Sequence, residues 1–175
     1  MNVAESIRAQ IVDVPDFPKP GITFKDLTPV FAHGPTHRAM IDALAERYHA
    51  QDIHAVVGVE SRGFLLAAPV AYALGVGTVL VRKRGKLPRT TRAQRYELEY
   101  GHDHLEIHSD ALVSGQKVVI VDDLLATGGT MVAARTLVQD LGAEVVEAAF
   151  VVELGFLPGR KSLSPMPVHA LLRFD

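Results

Sequence analysis

Short apolar runs alternate with helical patterns along most of the chain. Four of these runs are nearly continuous in β-branched and other apolar residues: His54–Glu60, Gly77–Arg82, Lys117–Asp123 and Val145–Glu153. Continuous apolar character, without strict alternation, is typical of strands that are covered on both faces. Val168–Phe174 is a weaker candidate for a further strand. The pattern therefore predicts several strands buried inside one sheet.

The segments between these runs carry apolar residues at helical spacing. We predict helices over Thr36–Ala50, Gly63–Leu74 and Gly129–Leu141. A repeated strand, helix and strand requires right-handed crossovers, which produce an open, mostly parallel sheet with helices on its faces. The sequence thus predicts an α/β fold in a single domain over residues 1–175. Ligands of such sheets bind at the carboxyl ends of the strands.

Three segments lie outside this repeat. Val14–Leu27 contains three prolines and one glycine, and we predict an ordered loop there, not a helix. Arg82–Arg95 is polar, is interrupted by glycine and proline, and leads into the alternating segment Tyr96–Tyr100. Gly155–Pro167 is also irregular. No shift in composition marks a second independent domain.

Composition narrows the possible functions. The chain has 175 residues, 48% of them hydrophobic and 22% charged, which is typical of a folded domain. Cysteine is absent, so disulfides, thiolate zinc sites and cysteine nucleophiles are excluded. The net charge of −2 argues against nucleic-acid binding, and no apolar run is long enough to span a membrane. Residues 1–10 show no export signal, so we expect a soluble, cytoplasmic protein.

The clearest motif is VVIVDDLLATGGT at Val118–Thr130, where a buried strand leads into a helix. Thr127–Thr130 can direct backbone N–H groups and two hydroxyls toward one point at the helix N-terminus, which is a ready anion site. Asp122 and Asp123 would repel a phosphate but accept hydrogen bonds from hydroxyls beside it. The motif therefore indicates a ribose 5-phosphate. The alternative, a capped helix after a glycine turn, fits the complete motif less well.

This motif closely resembles the phosphoribosyl pyrophosphate motif of type I phosphoribosyltransferases. Five further segments resemble the adenine phosphoribosyltransferase family in order: FPKPGITFKDLTPV at 17–30, ESRGFLLAAPVA at 60–71, VRKRGKLP at 81–88, YELEYGHDHLEIHSDAL at 96–112 and VVELGFLPGR at 151–160. The resemblance implies that fold, with a small N-terminal hood at about 1–34 and a flexible lid hairpin at about 84–108. It also implies synthesis of AMP and pyrophosphate from adenine and phosphoribosyl pyrophosphate, with Mg²⁺ carried mainly by the substrate.

The resemblance assigns the phosphoribosyl site to the motif itself. Asp122 and Asp123 are expected to hold the ribose hydroxyls. The 5-phosphate is expected to be surrounded by Ala126, Thr127, Gly128, Gly129 and Thr130.

The same resemblance places pyrophosphate binding in two basic segments. The first is the turn with Ser61 and Arg62, although an exposed arginine at a helix start is equally consistent with the spacing. The second is the run with Arg82, Lys83 and Lys86, which otherwise fits a solvated face or a nucleic-acid patch. In the family this run acts in part across a dimer interface, which implies a homodimer.

The base and the proton transfer are assigned to the hood and the lid. The family's LEYG glutamate corresponds to Glu99, expected as the general acid/base, and Tyr100 is expected to close over the site. Without the resemblance, a solvated strand charge would explain Glu99 equally well.

Thr23, Phe24 and Lys25 match the family's base-binding segment, and Leu125 is expected as an apolar floor for the purine. Many members carry Arg at the position of Lys25 and Asp at that of Glu60. Two alternatives to the adenine reaction stay open at this point. The first is the same transfer to another base, such as xanthine or orotate, and the second is a non-enzymatic regulator that binds the phosphoribosyl ligand.

Overall fold

The computed structural model describes residues 2–97 and 102–175. The helices are α1 (Val3–Gln10), α2 (Thr28–Ala32), α3 (Gly34–Tyr48), α4 (Phe64–Leu74), α5 (Gly129–Asp140) and α6 (Gly159–Leu163). The strands are β1 (Val12–Val14), β2 (Phe24–Asp26), β3 (Ala55–Val59), β4 (Gly77–Lys83), β5 (Thr91–Glu97), β6 (His102–His108), β7 (Lys117–Leu125), β8 (Glu144–Leu154) and β9 (Val168–Phe174).

Seven of these strands form one sheet in the order β5-β6-β4-β3-β7-β8-β9. Within the part β4-β3-β7-β8-β9, each pair of adjacent strands is parallel, because helices or longer connections join the strands. At the other edge, β6 pairs antiparallel with β4, and β5 pairs antiparallel with β6. The predicted α/β fold with a mostly parallel sheet is confirmed.

The sheet is covered on both faces, and β7 shows why its sequence is so apolar. Val118 and Ile120 point into a core that α5 and α6 complete, whereas Val119 and Val121 point into a second core. Helices α1 to α4 complete this second core. Alternate residues of one strand therefore stabilise two different layers, and no face of β7 is left for solvent.

One buried polar cluster joins the second layer to the sheet. The Glu147 carboxylate on β8 accepts two hydrogen bonds from Arg47, at 2.6 and 2.8 Å, and one from the Tyr48 hydroxyl at 2.6 Å. Burial alone raises the pKa of Glu147, but these donors outweigh it and hold the pKa below the ordinary value. The cluster thus fixes the end of α3 against the sheet.

The predicted elements of the main repeat are present, with ends that differ by one or two residues. The loop expected at Val14–Leu27 contains no helix, but its last part forms β2, which pairs antiparallel with β1. The basic segment Arg82–Arg95 is less irregular than its composition suggests. Its last residues begin β5, because pairing with β6 supplies backbone hydrogen bonds that the sequence pattern does not reveal.

Helix α1 is the clearest element without a predicted counterpart. Its apolar residues Val3, Ala4 and Ile7 lie at helical spacing and pack on the second core, but the helix has only eight residues, too few for the spacing to be distinctive. It begins with a capping box in which Asn2 and Glu5 bond each other's backbone N–H groups at 2.9 Å. Within the described residues, no helix is both long and apolar enough to cross a membrane.

The contact that positions the site most directly is at Gly63, between β3 and α4. A Cβ atom there would lie 2.5 Å from the Val59 carbonyl oxygen and 2.8 Å from that of Val121. Both are backbone atoms of central strands and cannot move aside. Glycine is therefore required where the turn after β3 passes over the sheet.

We predict that Gly63→Ala lowers the free energy of unfolding by about 2 kcal/mol or more, because the added methyl group overlaps main-chain atoms. Gly34→Ala is the matched control, since nothing lies within 4 Å of a Cβ at that helical position. This control should be neutral or stabilising by up to about 1 kcal/mol. Urea unfolding of both variants measures the difference. Equal stability of the two variants would contradict this account of the turn.

Candidate active site

Two polar loops leave the sheet side by side because β3 and β7 are adjacent and parallel, with Gly58 paired to Val121. They open onto a cleft of about 490 Å³. Its lining consists of Glu60, Ser61, Arg62, Lys83, Lys86, Tyr96, Asp122, Asp123 and Thr130. The cleft lies at the carboxyl ends of the parallel strands, where ligands of such sheets bind. It brings together most of the residues expected for a phosphoribosyl and pyrophosphate site.

The predicted phosphate loop connects the end of β7 to the start of α5. It surrounds a second, smaller cavity of about 90 Å³, lined by Asp122, Leu124, Leu125, Ala126, Thr127, Gly128, Gly129, Thr130, Met131 and Phe150. Gly128 has a φ of +88°, and a Cβ there would lie 3.0 Å from the Gly159 carbonyl oxygen. Both the backbone conformation and the close approach require glycine. The loop can therefore enclose an anion at the helix N-terminus.

Asp122 and Asp123 stand at the entrance to this loop with unlike surroundings. Asp123 is 4% exposed and accepts a hydrogen bond from the Arg62 guanidinium, and its own N–H donates to Asp122 at 2.9 Å. Desolvation and the neighbouring Asp123 carboxylate raise the pKa of Asp122 well above 3.8. The pair thus offers acceptors at a point where charge is unfavourable until a ligand supplies donors.

Each described cation that lines the cleft is paired with a carboxylate. Arg62 contacts Asp123, Lys86 contacts Glu60 at 2.7 Å, and Lys83 lies 3.3 Å from Asp103. Arg82 does not line the cleft itself, but its guanidinium bonds the same Glu60 at 3.2 Å. The positive side chains expected on the pyrophosphate side are therefore brought together and held in place by acids.

The base-binding residues expected in the hood lie together, but none of them lines the cleft. Phe24 packs edge to face on Phe17, with ring centroids 5.2 Å apart, and Thr23 is exposed. The Lys25 ammonium bonds the Asp13 carboxylate at 2.7 Å. It also lies 4.7 Å from the centroid of the Phe174 ring, so its side chain turns toward the last strand.

Leu125, expected as the purine floor, belongs mainly to the protein core. It is 1% exposed and packs beneath α5, although it also lines the small cavity. Leu124 is only partly buried and packs with the cluster to which the N-terminal helices belong. Of the two leucines, Leu124 therefore lies on the hood side of β7 with part of its surface accessible.

Three residues of the site are not indicated by the sequence pattern: Glu60 and Tyr96, which line the cleft, and Asp103, which pairs with Lys83. For Glu60 and Asp103, the available signal is that each is an acid in a segment next to the predicted cations. Tyr96 is 9% exposed and lies opposite Asp103 in the β5–β6 pair. Burial and the Asp103 carboxylate raise the pKa of Tyr96. Glu99 and Tyr100 lie outside the described residues.

Among residues 2–97 and 102–175, no group of three or more His, Asp or Glu side chains could hold a metal ion. The acids of the cleft still supply hard oxygen atoms, which are the donors that Mg²⁺ prefers. This donor chemistry fits an ion whose other ligands come from diphosphate oxygens and water.

Comparison with known proteins identifies the relatives of this chain. Residues 30–163 match the family described as the phosphoribosyl transferase domain. The adenine phosphoribosyltransferase of Geobacter metallireducens is 54% identical over 170 residues, which cover 97% of this chain and 99% of that protein. That of Salinispora arenicola is 53% identical, over 97% of this chain and 90% of that protein.

Solved structures agree with these relatives. The adenine phosphoribosyltransferase of Thermoanaerobacter pseudethanolicus superposes with a TM-score of 0.94 at 50% identity, covering 98% of this chain and 99% of that one. The Saccharomyces cerevisiae protein was solved in complex with an imino-altritol bisphosphate and adenine. It gives a TM-score of 0.91 at 44% identity, covering 97% of this chain and 98% of that one.

We predict that Asp122→Asn is more stable than the parent protein near neutral pH. A carboxyl with a raised pKa in the folded state costs stability as pH rises from 3.8 through that pKa, and asparagine removes this cost. The stability difference should therefore shrink as pH falls toward about 4. Thermal melts at several pH values measure it. Asp42→Asn, on an exposed helical surface, is the control and should change stability by less than about 0.5 kcal/mol. A variant that is less stable than the parent at pH 7 would contradict the prediction.

Proposed function

The chain belongs to the phosphoribosyltransferase family and, within it, to the adenine phosphoribosyltransferases, and from this we propose which residues carry each part of the reaction. The reaction converts adenine and phosphoribosyl pyrophosphate into AMP and pyrophosphate. One observation supports the assignment most strongly. The phosphate loop and the basic residues meet at one strand edge, around two neighbouring cavities that share Asp122 and Thr130.

The sugar phosphate is assigned to the end of β7. Backbone N–H groups of Ala126–Thr130, together with the hydroxyls of Thr127 and Thr130, surround the 5-phosphate at the start of α5. Asp122 and Asp123 accept hydrogen bonds from the two ribose hydroxyls. These donors relieve the unfavourable charge on Asp122, so the acids favour a diol over a second anion at this position.

The diphosphate is assigned to the other side of the cleft. This side is lined by Ser61, Arg62, Lys83 and Lys86. The Arg82 guanidinium donates a hydrogen bond to the Lys86 carbonyl oxygen. As the bond from the sugar to the diphosphate breaks, negative charge develops on the leaving group, and these cations stabilise it. When bound, Mg²⁺ supplies further charge neutralisation, and we assign its ligands mainly to the substrate.

The base is assigned to the hood at about 1–34. Backbone groups near Thr23 and Lys25 offer an adjacent donor and acceptor, which match the amino group and ring nitrogen of adenine. Phe24 provides an aromatic contact nearby. For the apolar contact on the opposite side we favour Leu124 over Leu125, because Leu125 is packed in the core.

Proton transfer is assigned to Glu99, in the segment between β5 and β6. A carboxylate at the imidazole-ring nitrogens of the purine can exchange a proton with the base as the new bond forms. Tyr100 would close over the sugar and exclude water. The lid is assigned to about 84–108, which includes the described pair of β5 and β6.

A homodimer in the cytoplasm completes the proposal. Helix α4 and strand β4 expose Leu65, Tyr72 and Leu80, at 49%, 89% and 40% of their surface. Large exposed apolar side chains on neighbouring elements are typical of an interface between subunits. Such an interface would lie beside the basic run that follows β4.

Base specificity tests the function directly. With phosphoribosyl pyrophosphate and Mg²⁺, we expect pyrophosphate release with adenine to exceed release with hypoxanthine or guanine by about 10³-fold or more in kcat/KM. The physical reason is that oxo purines present the opposite hydrogen-bonding polarity and would leave the backbone groups that face the base unpaired in the complex. Comparable turnover with hypoxanthine would overturn the base assignment and leave the phosphate loop unaffected.

Replacement of the proposed acid/base gives a second test. Glu99→Gln should lower kcat by about 10²-fold or more, because the amide keeps the shape but cannot exchange the proton. Binding of phosphoribosyl pyrophosphate should persist. Glu97→Gln is the matched control two residues away and should keep its kcat. Near-parental turnover of Glu99→Gln would remove Glu99 from the mechanism.

A further inference from the structure

Glu60 is an acid at the place where the leaving diphosphate is expected. It follows β3 directly and precedes the turn with Ser61 and Arg62. Its side chain is 9% exposed, yet it lines the cleft. A carboxylate beside a multiply charged anion opposes binding by electrostatic repulsion. Some favourable contribution of Glu60 must therefore compensate for this repulsion.

The hydrogen bonds of this carboxylate indicate what that contribution is. One oxygen accepts from the Lys86 ammonium at 2.7 Å. The other accepts from the Arg82 guanidinium at 3.2 Å and from the Lys83 backbone N–H at 3.1 Å. Glu60 thus contacts three parts of the basic run, each through a different kind of donor.

The basic run also contains an internal hydrogen bond. The Arg82 guanidinium donates to the Lys86 carbonyl oxygen at 3.0 Å, so these two residues are fixed to each other as well as to Glu60. The turn between them includes Gly85, with a φ of +79°, whose N–H donates to the Glu106 carboxylate at 3.0 Å. Glu60 after β3 and Glu106 on β6, the strands on either side of β4, therefore hold the turn from two sides.

The charge state of Glu60 agrees with this geometry. Burial alone raises its pKa, but the donors from Lys86, Lys83 and Arg82 outweigh burial and hold the pKa below its ordinary value. The group is ionised at neutral pH. An ionised carboxylate with three donors gives a rigid connection, whereas two long basic side chains without it would sample many rotamers.

We propose that Glu60 is a positioning residue for the leaving diphosphate. It holds the Lys86 and Arg82 side chains and the end of β4 in the arrangement that receives pyrophosphate, and the ordering it provides outweighs its repulsion of the ligand. This inference rests on the proposed assignment of the basic run to pyrophosphate. It gives a function to an acid that makes no favourable contact of its own with the diphosphate.

The test is binding of Mg²⁺–pyrophosphate to Glu60→Gln, measured by calorimetry. We expect Kd to rise by about tenfold or more, because the amide pairs with at most part of the donor set and turns an N–H group toward a cation. The KM for phosphoribosyl pyrophosphate should rise in parallel, and the KM for adenine should stay the same. Binding of ribose 5-phosphate, which reports on the phosphate loop alone, should change by less than about twofold.

Glu147→Gln is the matched control for a general loss of stability. Glu147 also accepts three hydrogen bonds, and its side chain is likewise 9% exposed, but it lies near the opposite end of the sheet. This variant should lower the melting temperature and leave Kd for Mg²⁺–pyrophosphate unchanged. If Glu60→Gln does not fold, Glu60→Ala removes every acceptor for the three donors and should also weaken pyrophosphate binding, whereas Glu60→Asp, the residue that many family members carry, keeps the charge and should keep most of the binding.

The outcomes separate this inference from the function on which it rests. Failure of the parent protein to bind Mg²⁺–pyrophosphate would overturn the assignment of the basic run itself. Parental binding with equal or tighter binding by Glu60→Gln would overturn the positioning role alone, since relief of repulsion would then be the larger effect. Weaker binding by the Glu147 control to the same extent would also overturn it.

Discussion

The parallel pairing of β3 with β7 determines where the two loops that line the cleft meet. The two strands end at the same edge, so the turn after one and the phosphate loop after the other leave the sheet as neighbours. Gly63 allows the turn to pass within contact of both strands, and Arg62 then reaches Asp123 across the gap. An anion site on either loop alone would bind a phosphate. Because the two loops are adjacent, they form one site that can bind an anion at each end.

Charge balance is the second constraint on the cleft. Arg62, Lys86 and Lys83 have Asp123, Glu60 and Asp103 as partners. Several cations close together would otherwise repel one another and adopt alternative rotamers. With acids between them, they are ordered before the ligand arrives, so less ordering has to occur when it binds. The cost is some repulsion of an anionic ligand.

Much of the fold could be predicted because its information is local. Each central strand is an apolar run of its own, and the phosphate loop is one continuous segment from Asp122 to Thr130. The short strands β1 and β2 carry no comparable pattern, since each has only three residues. They depend on pairing with each other. Helix α1 has only eight residues, so its apolar spacing is likewise too short to be distinctive. The parts of the site that could not be predicted depend instead on distant pairs. Glu60 and Lys86 are 26 positions apart, and only the pairing of β3 with β4 brings them together. The predicted cations were thus recognisable from composition, whereas the acids that orient them depend on the register of the sheet.

Lys25, expected as a base-binding residue, has a structural role in the hood. Its ammonium is held between the Asp13 carboxylate and the Phe174 ring, and the Arg8 guanidinium lies 4.5 Å from the centroid of the same ring. The side chain therefore fastens the hood to the last strand of the sheet. The ammonium bonds both Asp13 carboxylate oxygens at 2.7 Å, and it also contacts an aromatic ring. Arginine and lysine differ in both kinds of contact, because the guanidinium is planar and binds a carboxylate through two N–H groups. The exchange of one cation for the other at this position therefore changes how the hood is attached to the last strand.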